Sequence, residues 1–287
     1  MTRSAATAIG FGAVLLWSLL ALLTVGSTPT PPLLLNAICF SIGGLIGLVW
    51  TARSGGLSQL RHIPLRIYLF GTLGLFGYHA LYFSALRLAP AAEAGLIAYL
   101  WPLLIVLFSS LLPGERLRMG HITGALLGFL GAALIVTGGQ AGFEREAVTG
   151  YVMAFLCALT WSGYSVLSRR LGQTPTASVS VFCLATAILS GLLHLAIEDT
   201  VWPATTTGWF AVLVLGAGPV GLAFYIWDIG VKRGDIQLLG TSSYAAPLLS
   251  TLILVAFGIA TPSWILAASA LLITGGAGIA ARASLTS

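Results

Sequence analysis

The sequence predicts an all-α membrane protein in which ten transmembrane helices form a five-plus-five inverted-topology repeat, with both termini cytoplasmic. Composition, run length and an internal repeat carry that prediction. Of 287 residues, 57% are hydrophobic and 7% are charged, and the mean hydropathy is +0.99. A soluble domain of this make-up would lack the charged surface that water requires, so the surface must face lipid. A bilayer core of about 30 Å takes roughly 20 apolar residues per helix. The apolar runs have that length and are parted by short turn-like breaks such as "GSTPTPP", "PGERLRMG", "GQTPT" and "ATPS".

Taken in order, the first run is Ala5 to Val25. It follows a basic residue, as a signal peptide would, but it is longer than a signal peptide's apolar core and is expected to stay as the first span. Leu33 to Thr51 begins behind two prolines and ends before Arg53, and Ile67 to Leu88 lies between Arg66 and the Ala89-Pro90 break. Pro90 to Leu112 stops at "PGERLR", and His121 to Thr137 follows. In that fifth run Gly120, Gly124 and Gly128 form a GxxxGxxxG series, expected to pack helices within the chain. The second set is Gly150 to Ser168, Ala177 to Ala196, Trp209 to Gly230, Asp235 to Phe257 and Trp264 to Ala281.

The two sets repeat each other. An offset of 145 places "YLWPLL" (Tyr99 to Leu104) on "YAAPLL" (Tyr244 to Leu249), and pairs Gly71 with Gly216, Arg87 with Lys232, Gly95 with Gly240 and Gly131 with Gly276. An offset of 144 places Trp17-Ser18 on Trp161-Ser162. The repeat units are residues 1–142 and 143–287. Because each holds an odd number of spans, the second must enter the membrane from the opposite side, an arrangement typical of secondary transporters. Orientation follows from the basic residues: with the N-terminus inside, eleven of thirteen Lys and Arg lie on the inner side, and only Arg87 and Arg145 lie outside.

Several function classes are excluded. The basic residues never form a run or a helix face, so no nucleic-acid partner is expected. Cys39, Cys157 and Cys183 sit far apart in apolar runs, offering neither a disulfide framework nor a zinc spacing. There is no GxxxxGK[ST] loop for ATP and no nucleophile–base–orienter set, with His62, His121 and His194 read as loop or interface residues. The chain is therefore expected not to be an enzyme, and to need neither metal nor cofactor.

The Trp-Ser opening of both first spans, "PAAE" before the fourth and "GDI" before the ninth, together with the repeat, resemble the drug/metabolite transporter superfamily and its EamA-type exporters. The midspan aromatics are similar to those of the aromatic amino-acid exporters of bacterial inner membranes. The resemblance implies an inner-membrane secondary transporter moving aromatic and other hydrophobic amino acids from cytoplasm to periplasm by alternating access, and functioning as a monomer. Downhill facilitated transport and proton antiport both stay open. The alternative is a broad-specificity drug/metabolite exporter driven by proton antiport.

Within that frame, His79 is the central ionisable group, and such groups in a membrane usually face a cavity or another helix. It shares its span with Tyr78 and Tyr82. Tyr99 and Trp101 lie on the fourth span, Trp161 and Tyr164 on the sixth, and Trp17 and Tyr244 at repeat-related depths. These nine residues are the candidate substrate-binding set. Pro102 and Pro247 are repeat mates that should kink spans four and nine and act as helix hinges. Arg87 and Glu93, and Asp228, Lys232, Arg233 and Asp235, are expected as interfacial charges, with ion-pair gates the alternative. The lack of a midspan carboxylate, Lys or Arg leaves a neutral or zwitterionic substrate with an apolar, aromatic body.

Overall fold

The computed structural model describes residues 1–171 and 174–285; Gly172 and Gln173 of the "GQTPT" turn, and Thr286 and Ser287 at the end, lie outside the described residues. Ten helical spans are long and apolar enough to cross a membrane: Arg3–Gly26, Pro32–Arg53, Leu65–Leu88, Ala91–Ser109, Met119–Thr137, Arg145–Arg170, Ser178–Ile197, Thr206–Arg233, Ile236–Ala256 and Trp264–Leu285. They are called spans 1 to 10. Spans 6 and 8 run several residues beyond the apolar runs seen in the sequence, because Arg169 and Lys232 near their ends are bonded within the bundle and do not end the helix.

The most extensive helix pairs are span 5 with 10, 1 with 8, 2 with 7 and 3 with 6, and span 4 meets span 9 over a smaller contact. Exchanging each span for its repeat mate turns the pair 1 and 8 into 3 and 6 and leaves 2 with 7, 4 with 9 and 5 with 10 unchanged. The packing therefore obeys the pseudo-two-fold relation that an inverted repeat requires. Small residues make the close approaches. A Cβ on Gly10 would lie 2.8 Å from the Gly230 backbone between spans 1 and 8, and the corresponding seam between spans 3 and 6 carries Ala85 and Ala154. Of the series in span 5, Gly120 and Gly124 face Ala283 and Gly276 of span 10, and Gly128 lies under the Tyr244 ring.

Three spans are interrupted. Span 1 breaks at Ser18–Leu19, span 4 between the helices Ala91–Ala98 and Trp101–Ser109, and span 9 between Ile236–Ser242 and Ala245–Ala256. The breaks in spans 4 and 9 are repeat mates, each three residues before a proline, Pro102 or Pro247. Proline lacks the N–H that would bond one turn back and its ring crowds the carbonyl there. The kinks foreseen at the prolines thus take the form of full interruptions just ahead of them. In span 8 the residues Gly218–Leu222 form a π turn.

Candidate functional site

Four indoles meet at the centre of the bundle. Trp17, Trp101, Trp161 and Trp227 come from spans 1, 4, 6 and 8, and every pair is in ring contact, with centroids from 5.1 Å (Trp17–Trp227) to 6.4 Å (Trp101–Trp161) apart. Edge-on and tilted contacts dominate, the geometry aromatic quadrupoles favour. Two of the indole N–H groups have fixed partners. Trp17 Nε1 donates to the Pro219 carbonyl at 3.1 Å, and Trp227 Nε1 donates to Ser165 Oγ at 3.1 Å. The π turn makes the first bond available: the Ala223 N–H bonds Gly218, so Pro219 is relieved of its usual helical donor.

Around this cluster lies a second ring of aromatics. Phe224 touches Trp17 and Trp161, Phe40 of span 2 stacks on Phe224 at 5.3 Å, and His79 sets its edge on Phe40 at 5.0 Å. Tyr78 reaches Trp161 at 5.4 Å and stacks parallel to Tyr82. Tyr164 bridges Trp161 and Phe70, with centroids at 5.3 and 5.5 Å. His79 Nδ1 lies 2.7 Å from the Leu75 carbonyl of its own helix, so that nitrogen must donate, and the neutral ring offers Nε2 as an acceptor. The side of the helix His79 occupies is thus settled: it faces the aromatic group, between Phe40 and Phe224.

The structure therefore gathers Trp17, Tyr78, His79, Tyr82, Trp101, Trp161 and Tyr164 into one aromatic assembly. Tyr99 is partly exposed and packs against another core cluster, which includes Ala132, Leu248 and Ile273. Tyr244 belongs wholly to that cluster. It is fully buried against Phe129, and its hydroxyl accepts the Leu103 N–H at 3.1 Å. That N–H is freed where span 4 is interrupted, so Tyr244 closes the break instead of joining the indoles. Sequence reasoning missed Trp227, Phe224 and Phe40. The i, i+3 spacing of Phe224 and Trp227 was the available signal, masked by the neighbouring charges that read as a membrane interface.

The charges beside Trp227 are buried and paired. Asp228 is 2% exposed, pairs with Lys232 Nζ at 2.8 Å, and accepts from Thr176 Oγ1 at 2.7 Å. Nearer the end of the bundle that carries both termini, Glu115 pairs with Arg3 at 3.1 Å and with Arg169, while Arg169 also donates to the carbonyls of Val231 and Gly234. Arg3 lies 3.6 Å from Asp235. These bonds join spans 1, 6, 8 and 9 to the loop after span 4. The repeat-related positions on the opposite side, Ala147, Ala260, Val25 and Pro90, carry no charge. There Arg87 and His194 instead pair with Glu198, which also accepts the first N–H groups of span 2, from Leu33 and Leu34. His121 and His194, expected at loops or interfaces, are buried: His121 Nδ1 accepts the Arg118 N–H at the start of span 5, and His194 is held by Glu198 and Thr200. Among the described residues no group of His, Cys, Asp and Glu could hold a metal ion.

The EamA-like transporter family profile matches residues 5–137 and again 148–282, one copy in each half. The chain belongs to the EamA-like transporter family. Its EamA-family relatives include the aromatic amino acid exporter YddG of Ancylobacter novellus, 57% identical over 98% of both chains, and the aromatic amino acid exporter YddG of Escherichia coli K12, 28% identical over 88% of both. A solved crystal structure with 55% sequence identity superposes with a TM-score of 0.93, covering 97% of this chain and 98% of the other. Ten spans and this EamA-family membership make it a multi-pass bacterial inner-membrane transporter.

Proposed function

We propose that the chain exports aromatic and other hydrophobic amino acids from cytoplasm to periplasm by alternating access, working as a monomer. The observation that carries the reading is the four-indole cluster, built from both halves and placed where the two could part. Aromatic faces at that point favour a flat apolar body. The name of the relative at 57% identity points the same way. The excess of Lys and Arg assigns the terminal side to the cytoplasm. The matched interruptions of spans 4 and 9 supply two flexible points, with Pro102 and Pro247 setting where they fall. The units 1–142 and 143–287 are the two bodies that rock against each other.

Counterflow in proteoliposomes tests this. Vesicles loaded with unlabelled phenylalanine should accumulate labelled tryptophan, and Trp101→Ala should slow that uptake by about tenfold, roughly 1.4 kcal/mol of lost ring contact. Uptake untouched by the substitution would sink the indole cluster as the substrate wall. Competition by lipophilic cations would favour a broad drug exporter instead.

A further inference from the structure

A crevice of about 10 Å³ lies on the terminal side of the indole cluster, where spans 3, 6, 7 and 8 meet. Phe70, Phe182, Ser168 and Ser178 line it together with Asp228 and Lys232. Two features of this place have no account in the fold. The Asp228 and Lys232 side chains are 2% and 5% exposed, and a buried ion pair is often no better for stability than apolar residues of the same volume. Ser178 is fully buried and its hydroxyl has no hydrogen-bond partner, which is costly in so apolar a setting. Nor does the repeat demand the pair: the corresponding positions are Phe83, which is apolar, and Arg87, whose side chain is 47% exposed.

We infer that this crevice is the cytoplasmic loading site for the amino-acid zwitterion, with Asp228 taking the ammonium group and Lys232, assisted by the Ser178 hydroxyl, taking the carboxylate. The inference rests on the export reading above and states how the path distinguishes its substrate class. With the site shut, as here, the two charges satisfy each other, and Thr176 and the Thr174 carbonyl complete their bonds. Parting the spans withdraws Thr176 and the Thr174 carbonyl, while the two charges, four residues apart on span 8, stay adjacent, so a ligand must insert between them. A cation would satisfy Asp228 and leave Lys232 unpaired; an anion would do the reverse. Only a ligand bearing both charges replaces both halves of the pair at once, so the unpaired-charge penalty falls on every other class. The ligand's ring has a route onward, because Phe70 stacks on Tyr164 and Tyr164 tilts against Trp161. The crevice as it stands holds about one water. Loading therefore requires spans 3, 6, 7 and 8 to part, at the same end that Arg169 and Glu115 tie together.

The test uses the full chain in proteoliposomes and three labelled solutes sharing one ring: tryptophan, tryptamine and indole-3-propionate. Wild type should favour tryptophan over both singly charged analogues by roughly tenfold or more. Asp228→Asn should lose tryptophan flux while gaining indole-3-propionate relative to it, and Lys232→Met should lose tryptophan flux while gaining tryptamine. The double variant, which leaves no charge unpaired, guards against misfolding and should move all three at similar rates. Wild type carrying tryptamine as readily as tryptophan, both single variants slowing all solutes alike, or the double variant keeping the wild-type preference would each overturn the inference while leaving export intact. Absence of any amino-acid flux in wild type would instead overturn the export reading and this inference with it.

Discussion

His79 commits one of its two ring nitrogens within its own helix, to the Leu75 carbonyl, and keeps the other as an acceptor among Phe40, Phe83 and Phe224. Among the described residues no carboxylate bonds to it, so a role in orienting substrate fits better than one in carrying protons. His79→Gln should change the apparent KM for tryptophan by only a few-fold, about 1 kcal/mol, and neither form should accumulate substrate against its gradient when a pH difference is imposed. Uphill accumulation by wild type that vanishes in the variant would make His79 the proton carrier. Tyr244 has the opposite character, buried and bonded to the backbone of span 4. Tyr244→Phe leaves the Leu103 N–H unpaired and should lower stability by about 1–3 kcal/mol, read as an earlier thermal transition, with solute preference unchanged. These two residues also show where sequence stops being enough. The depth of both was legible from their place in the runs. Their direction was not, because Tyr244 looked equivalent to Tyr99 until the interruption in span 4 gave its hydroxyl a partner.

The interrupted elements extend that point. Prolines mark spans 4 and 9 in the sequence, since a residue with no N–H must disturb the turn before it. The break at Ser18–Leu19 in span 1 has no proline and was not legible locally, whereas the π turn at Gly218–Leu222 contains Pro219, a local signal that the run-length reading passed over. Span 8 concealed the most, because Asp228 and Lys232 resemble the end of a span and Trp227 beside them was not singled out. In the present arrangement Pro102 is the second residue of the helix Trp101–Ser109, where its missing N–H costs little. Pro102→Ala would let that N–H bond the Ala98 carbonyl across the break and stiffen it. Turnover measured by counterflow should fall several-fold, on the order of 1 kcal/mol in the barrier, with apparent KM little altered. Turnover equal to wild type would show that the interruption is static.

For the whole molecule, the repeat was readable because Trp, Tyr and Pro are rare enough in so apolar a chain to fix the offset. Adjacent-half packing follows from that offset: span 1 against 8 and span 3 against 6 are one contact used twice. The charges depart from the symmetry. Glu115, Arg3, Arg169 and Asp235 tie the terminal side, and their mirror positions are uncharged. Glu115→Ala should therefore loosen that end alone. A cysteine placed at Ser178 should react several-fold faster with an impermeant maleimide from the terminal side, a shift of about 1 kcal/mol in the open population. An unchanged rate would mean that the network is a surface ornament.

One-sided bonding also reaches into kinetics. A carrier without an energy source must come to the same concentration on both faces, whatever its structure. It need not approach that balance symmetrically. If one face is held shut by an ion network joining four spans and the other by the smaller set centred on Glu198, the two faces saturate at different solute levels and respond differently to salt. The chain would then pass solute at unequal speeds in the two directions under matched gradients, a rectifier in rate although not in equilibrium.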